Sequence, residues 1–200
     1  MSHQVLETKP ASLDACRVLR VHCRYQSTNG RVSRMLDLEG IIEALSDPNV
    51  YMIGVCGNHD DRMGNHLDTV VRRVTREGLF GVFVMVTITE KPNLRRILDE
   101  IANQLGFSYQ KIEKKTNSFR GVFPGKTKKN KDLSEYARQL SDKIRTDQPK
   151  VLFILRDLHT KFDLSTIGVD HRFCKLIITS QSEDTLSNQM NAQRTFSLRL

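Results

Sequence analysis

Two short apolar runs in this chain end in residues that could handle a phosphate. Residues 50–57, Val-Tyr-Met-Ile-Gly-Val-Cys-Gly, read as a strand entering a glycine loop, and residues 151–157, Val-Leu-Phe-Ile-Leu-Arg-Asp, read as a strand ending on a carboxylate. A glycine loop between a strand and a helix can wrap phosphate in backbone N–H groups. It needs a lysine to reach the terminal phosphates and a hydroxyl to hold magnesium. Read without gaps from Gly57, the next positions are Asn58, His59, Asp60 and Asp61; Arg62-Met63 then stand where Gly-Lys is needed, and Gly64-Asn65 where hydroxyls are needed. Shifting the register so that Gly64 becomes the second glycine puts Asn65 at the lysine position. Neither register supplies an ammonium, and two aspartates face the place of the phosphate.

The second strand is altered in the same direction. Where two acids would serve magnesium and water, the chain has Arg156-Asp157, so a positive charge takes the metal position while a water-orienting base remains. Each lost charge-assisted hydrogen bond costs about 1.5–3 kcal/mol, enough that several losses carry a micromolar site to millimolar or worse. Arg62 and Arg156 offer one substitute, because a guanidinium can grip phosphate bidentately.

The elements that must position these residues follow from apolar spacing. Met35, Leu38, Ile41, Ile42 and Leu45 recur at helical intervals before Asp47-Pro48-Asn49 stops the helix. Leu67, Val70, Val71 and Val74 stripe a helix after the glycine loop. A strand at 82–88 leads through Glu90-Lys91-Pro92 into a helix marked by Leu94, Ile97, Leu98, Ile101, Ala102 and Leu105, closed by Gly106. Leu133, Tyr136, Ala137, Leu140 and Ile144 give another helix ahead of the strand at 151, and residues 174–179 give a last strand. Strands that are nearly continuous apolar runs belong to a parallel sheet covered on both faces. The expected fold is therefore α/β, a doubly wound parallel sheet with helices on both faces, over residues 31–200, with residues 1–30 as a poorly ordered lead-in. The strand-and-glycine-loop motif at 50–57 and the resemblance given below imply that it is of P-loop NTPase type.

Composition sets the remaining bounds. With 200 residues, 38% of them hydrophobic, the chain suits one domain with its own core. No apolar run approaches the roughly 20 residues that span a bilayer, and the start lacks the order of a signal peptide, so a cytoplasmic location is expected. Cys16, Cys23, Cys56 and Cys174 are scattered and read as reduced thiols, with no metal site built from Cys16, His22 and Cys23. The net charge of +8 gathers in a basic loop at about 109–131, where Lys111, Lys114, Lys115, Arg120, Lys126, Lys128, Lys129 and Lys131 meet the single acid Glu113 before Asp132. Its Asn, Ser, Gly and Pro neighbours describe a solvated loop rather than a nucleic-acid contact.

The series of segments resembles the nucleotide-binding (NB-ARC) domain of plant NLR disease-resistance proteins, above all the coiled-coil class. Residues 53–57 resemble its strand into the P-loop, residues 79–106 the following block, and residues 150–159 its Walker B strand. Residues 162–169 resemble the next segment, and residues 174–184 the sensor strand, with Gln181 where an arginine is the rule. The resemblance implies a defence-related role and an ADP or ATP site at Gly57, Arg62, Met63, Gly64, Asn65, Arg156, Asp157 and Gln181. Several of these are substituted, so nucleotide binding is expected to be weakened or lost, magnesium to be held poorly if at all, and hydrolysis to be absent. The family's helical, winged-helix and leucine-rich repeat layers and its N-terminal signalling domain find no room here. A partial domain acting through other immune-receptor or signalling proteins is the expectation, and a nucleotide-independent scaffold is the alternative. A further alternative reads Gly57-Asn58-His59-Asp60 and Asp157-Leu158-His159 as ligands of a metal-dependent phosphoesterase. The order of the two strings is reversed from that class, and its other ligand motifs are missing.

Overall fold

The middle strands are apolar on both sides, and this forces helices onto both faces of the sheet. A computed structural model describes residues 30–57, 61–110, 127–146 and 150–198. The strands are β1 (Met52–Cys56), β2 (Val82–Thr87), β3 (Val151–Arg156), β4 (Cys174–Ser180) and β5 (Arg194–Ser197). They form one parallel sheet in the order β2-β3-β4-β1-β5. Along β3, Leu152 and Ile154 pack with Ile53, Val55 and Ile177 beneath helices α1 (Gly30–Ser46) and α2 (Asp61–Arg76). Phe153 and Leu155 turn the other way and pack with Leu176 and Ile178 beneath α3 (Leu94–Gln104) and α4 (Thr127–Thr146). Each such side chain removed from water contributes about 1.5–3 kcal/mol. The doubly wound parallel sheet expected from the sequence is the fold found.

The strand order creates the site's geography. From β1 the chain crosses β4 and β3 to reach the β2 edge; from β4 it crosses β1 to reach the β5 edge. Connections that leave neighbouring strands in opposite directions open a crevice beyond their carboxyl ends, and right-handed crossovers put helices on opposite faces. The residues that follow β1, β3 and β4 meet at that end of the sheet.

Three elements differ from the sequence reading. Helix α4 starts at Thr127, so residues 127–131 of the expected basic loop are helical. Lysines propagate a helix well once Tyr136, Ala137, Leu140 and Ile144 have anchored it to the core. Residues 111–126 lie outside the described residues, as does the expected lead-in to residue 29. Helix α3 begins two residues beyond Pro92, with the Asn93 side chain accepting the Arg96 N–H at 3.2 Å as its cap. Strand β5 carries no apolar signal of its own. Before it, the Gln193 side-chain oxygen accepts the N–H groups of Tyr51 and Met52 at 2.7 and 3.1 Å, which ties this edge to the start of β1.

After β3, a 3-10 turn at Leu164–Ile167 returns the chain to β4 and closes on Gly168 in the left-handed region, φ 72°. A Cβ there would lie 2.2 Å from the Ala137 carbonyl oxygen of α4, so the turn seats against that helix only because the side chain is absent. Gly168→Ala is expected to lower stability by about 2–4 kcal/mol, from backbone strain and overpacking together. Gly64→Ala, on α2 with open space around the position, is expected to raise it by about 0.5–1 kcal/mol. Urea titrations of the two variants followed by circular dichroism check both signs.

Candidate functional site

The carboxyl ends of β2, β3 and β4 surround a cleft of about 610 Å³ lined by Thr87, Thr89, Glu90, Lys91, Asp157, His159 and Gln181. Two of the residues singled out from the sequence, Asp157 and Gln181, therefore share one cavity. Asp157 is positioned by its backbone: it adopts a left-handed φ of 63°, uncommon outside glycine, and its N–H donates to the Thr179 hydroxyl at 3.2 Å. Thr179 is fully buried, and its carbonyl accepts the Leu158 N–H at 3.0 Å. The next side chain along, Ser180, donates its hydroxyl to the Leu158 carbonyl at 2.6 Å. The end of β4 thus grips the loop after β3 by three hydrogen bonds and holds the carboxylate at the mouth of the cleft.

Arg156 points elsewhere. It continues the Leu152 and Ile154 side of β3, where its Nη1 lies 4.0 Å from the Met85 sulfur, and its Nε is buried with no hydrogen-bond partner among the described residues. A guanidinium in this position repels a divalent cation instead of binding one. Among the described residues, no three His, Cys, Asp or Glu side chains gather as a metal site; Asn58, His59 and Asp60 lie outside those residues.

The described ends of the glycine loop are Gly57 and the start of α2. Gly57 donates its N–H to the Ser180 carbonyl at 3.0 Å, which fixes the loop's first residue against β4. A Cβ on Gly57 would come within 2.8 Å of the Met63 terminal methyl and 3.5 Å of the Leu198 Cβ. Met63, at the lysine position, is 2% exposed and belongs to the core shared by α1, α2 and the sheet. A thioether with no charge to solvate gains more from burial than from the loop mouth. Gly64 and Asn65 follow on α2, half-buried and exposed respectively, and the Asn65 carbonyl accepts the Thr69 hydroxyl at 2.7 Å. Asp61 and Arg62 open α2, and their side chains lie outside the described residues. Cys56 closes β1 with its thiol 3.6 Å from the Gln181 carbonyl; burial, and then Glu183, push its pKa up and keep it protonated.

Sequence reasoning missed Thr87, Thr89 and Lys91 as cleft residues. The signal was only positional: they follow the carboxyl end of an apolar strand in a parallel sheet, where ligands of such folds bind.

No family model matches this sequence, and no curated protein does. Solved structures do. Cdc6p from Pyrobaculum aerophilum superposes with a TM-score of 0.53 at 14% identity, covering 88% of this chain and 47% of that one. The ORC2 protein of Aeropyrum pernix, in ADPNP-ADP complexes, gives 0.43 at 14% identity over 84% of this chain and 46% of that one. The chain thus spans about half the length of the structures it matches, and the likeness to Cdc6p shows the fold, that of the P-loop NTPases.

Because Met63 is part of the core, Met63→Ala is expected to cost about 2–5 kcal/mol of unfolding free energy. A denaturant titration that moved by less than about 1 kcal/mol would place the side chain outside the core, contrary to its burial.

Proposed function

We propose that this chain is an NB-ARC-like domain of the plant immune-receptor type, defence-related, with an ADP or ATP site that binds weakly and does not hydrolyse. It acts in the cytoplasm through protein partners. The observation that carries this reading is Met63, buried against Gly57 at the position from which an ammonium would reach the terminal phosphates. The series of segments at residues 53–57, 79–106, 150–159 and 174–184 supports the family, and the P-loop NTPase fold is consistent with it.

The residues present do not fit magnesium, because Arg156 stands in the place of its acid. They fit phosphate poorly, because Met63, packed against Gly57 in the core, brings no charge to the loop. What the cleft retains is Lys91, the Thr87 and Thr89 hydroxyls and Gln181, opposed by Glu90 and Asp157. One ammonium against two carboxylates gives little net attraction for a triphosphate. A nucleotide-independent scaffold is the second reading, and the same buried methionine favours it.

Protein purified without added nucleotide is expected to release far less than one ADP or ATP per chain on denaturation. Calorimetric titration with ADP and magnesium is expected to show millimolar affinity or none, and Lys91→Ala is expected to weaken any binding that is found. Stoichiometric released ADP, or ATP turnover abolished by Asp157→Asn, would overturn the reading of a disabled site. Measurable millimolar binding selects the first reading, and none at saturating ADP selects the scaffold.

A further inference from the structure

The opposite end of the sheet carries a different set of groups. At the amino ends of β1, β3 and β4, a recess of about 340 Å³ is floored by apolar side chains, among them Leu45, Phe80 and Val151, and rimmed by Lys150, Arg172, Phe173 and Lys175. Phe173 is 39% exposed and is the one exposed large hydrophobic side chain among the described residues. Two guanidinium groups cover its ring, Arg145 at 5.0 Å and Arg172 at 5.7 Å from the centroid. Beside it, His171 stacks on Tyr51 at 4.3 Å.

The charges around this recess are unbalanced. Asp170 is engaged by Arg172, whose Nε lies 2.9 Å from its carboxylate, and it is held down at about pKa 2 chiefly by that bond. The Lys175 ammonium donates to the Asp47 carbonyl inside the recess; burial lowers its pKa, Asp47 opposes that shift, and Lys150 adds to it. Two amines therefore converge on the recess. Among the described residues, neither Arg145 nor Lys150 has an ion-pair partner. An apolar floor beside two cations without an ion-pair partner among the described residues, Lys150 on the rim and Arg145 next to it, suits a ligand that brings carboxylates around one apolar anchor.

We propose that this recess docks an acidic segment of a partner protein, seating one apolar side chain on the Leu45, Phe80 and Val151 floor while carboxylates pair with Lys150 and Arg145. The proposal deepens the partner-binding part of the reading above. A second copy of the chain is a poorer occupant, since each copy carries a net charge of +8. Single-stranded nucleic acid needs open aromatic faces for its bases, and here the Phe173 and Tyr51 rings are already covered by guanidinium and imidazole groups.

The test uses the full chain and a short fluorescein-labelled glutamate-rich peptide with one central leucine, followed by anisotropy. Saturable binding that weakens with salt is expected. It should fall about tenfold or more in the Arg145→Glu/Lys150→Glu double variant and persist in Lys150→Arg. Phe173→Ala and a leucine-to-serine peptide should each weaken it as well, with far-UV circular dichroism confirming that the variants stay folded. Three results would overturn the proposal: no saturable binding, affinity indifferent to the double charge reversal, or displacement by oligothymidylate at lower concentration than by unlabelled peptide. A dimer seen by light scattering and dissolved by Phe173→Glu would also overturn it, by making the face a self-interface. Released nucleotide is measured at the far end of the sheet and should be unchanged in these variants, so failure of the recess and failure of the nucleotide reading are separate outcomes.

Discussion

Strands β1, β3 and β4 are buried on both faces, and most other features of the molecule answer to that constraint. A strand with Leu152 and Ile154 on one side and Phe153 and Leu155 on the other cannot meet water anywhere but at its ends. Helices must cover both faces, the connections must be crossovers, and polar groups are left only where strands begin and stop. The carboxyl ends then collect Asp157, Gln181, Thr87 and Lys91, while the amino ends collect Lys150, Lys175, Arg172 and Phe173.

The same burial reaches the loop that follows β1. The loop's entry is fixed by β-ladder neighbours: Gly57 bonds to Ser180, and Leu198 bonds to the Cys56 carbonyl at 2.8 Å. Neither bond depends on a ligand. Met63, at the start of α2, joins the core between the sheet and the helices beside it. Gly57 packs against that methionine, where a Cβ would come within 2.8 Å of the terminal methyl.

At the carboxyl end of β3 the constraint acts through hydrogen bonds. Thr179 and Ser180 hold Asp157 and Leu158 from the neighbouring strand, so Asp157 keeps its place at the cleft while Arg156 turns to the other side. A left-handed aspartate held by a buried threonine is a costly local conformation, of order 1–3 kcal/mol. It survives because the surrounding strands leave the chain no other route.

Much of this architecture was written in local pattern. Apolar runs at 50–57, 82–88, 151–157 and 174–179 and helical stripes between them determine a covered parallel sheet, because burial on two faces leaves few other arrangements. The charge and hydrogen-bonding capacity of Met63, Arg156 and Gln181 were also legible, since these belong to residue type. Tertiary structure alone decided where those side chains went. Sequence could not tell that Met63 packs inward, that Arg156 turns away from Asp157, or that Lys91 comes to the same cleft, because each depends on which face of which strand lies beside it. Strand β5 was invisible for the same reason. Its partner strand lies more than a hundred residues away along the chain, as Gln193 does from Tyr51 at a separation of 142, and only the closed sheet brings them together.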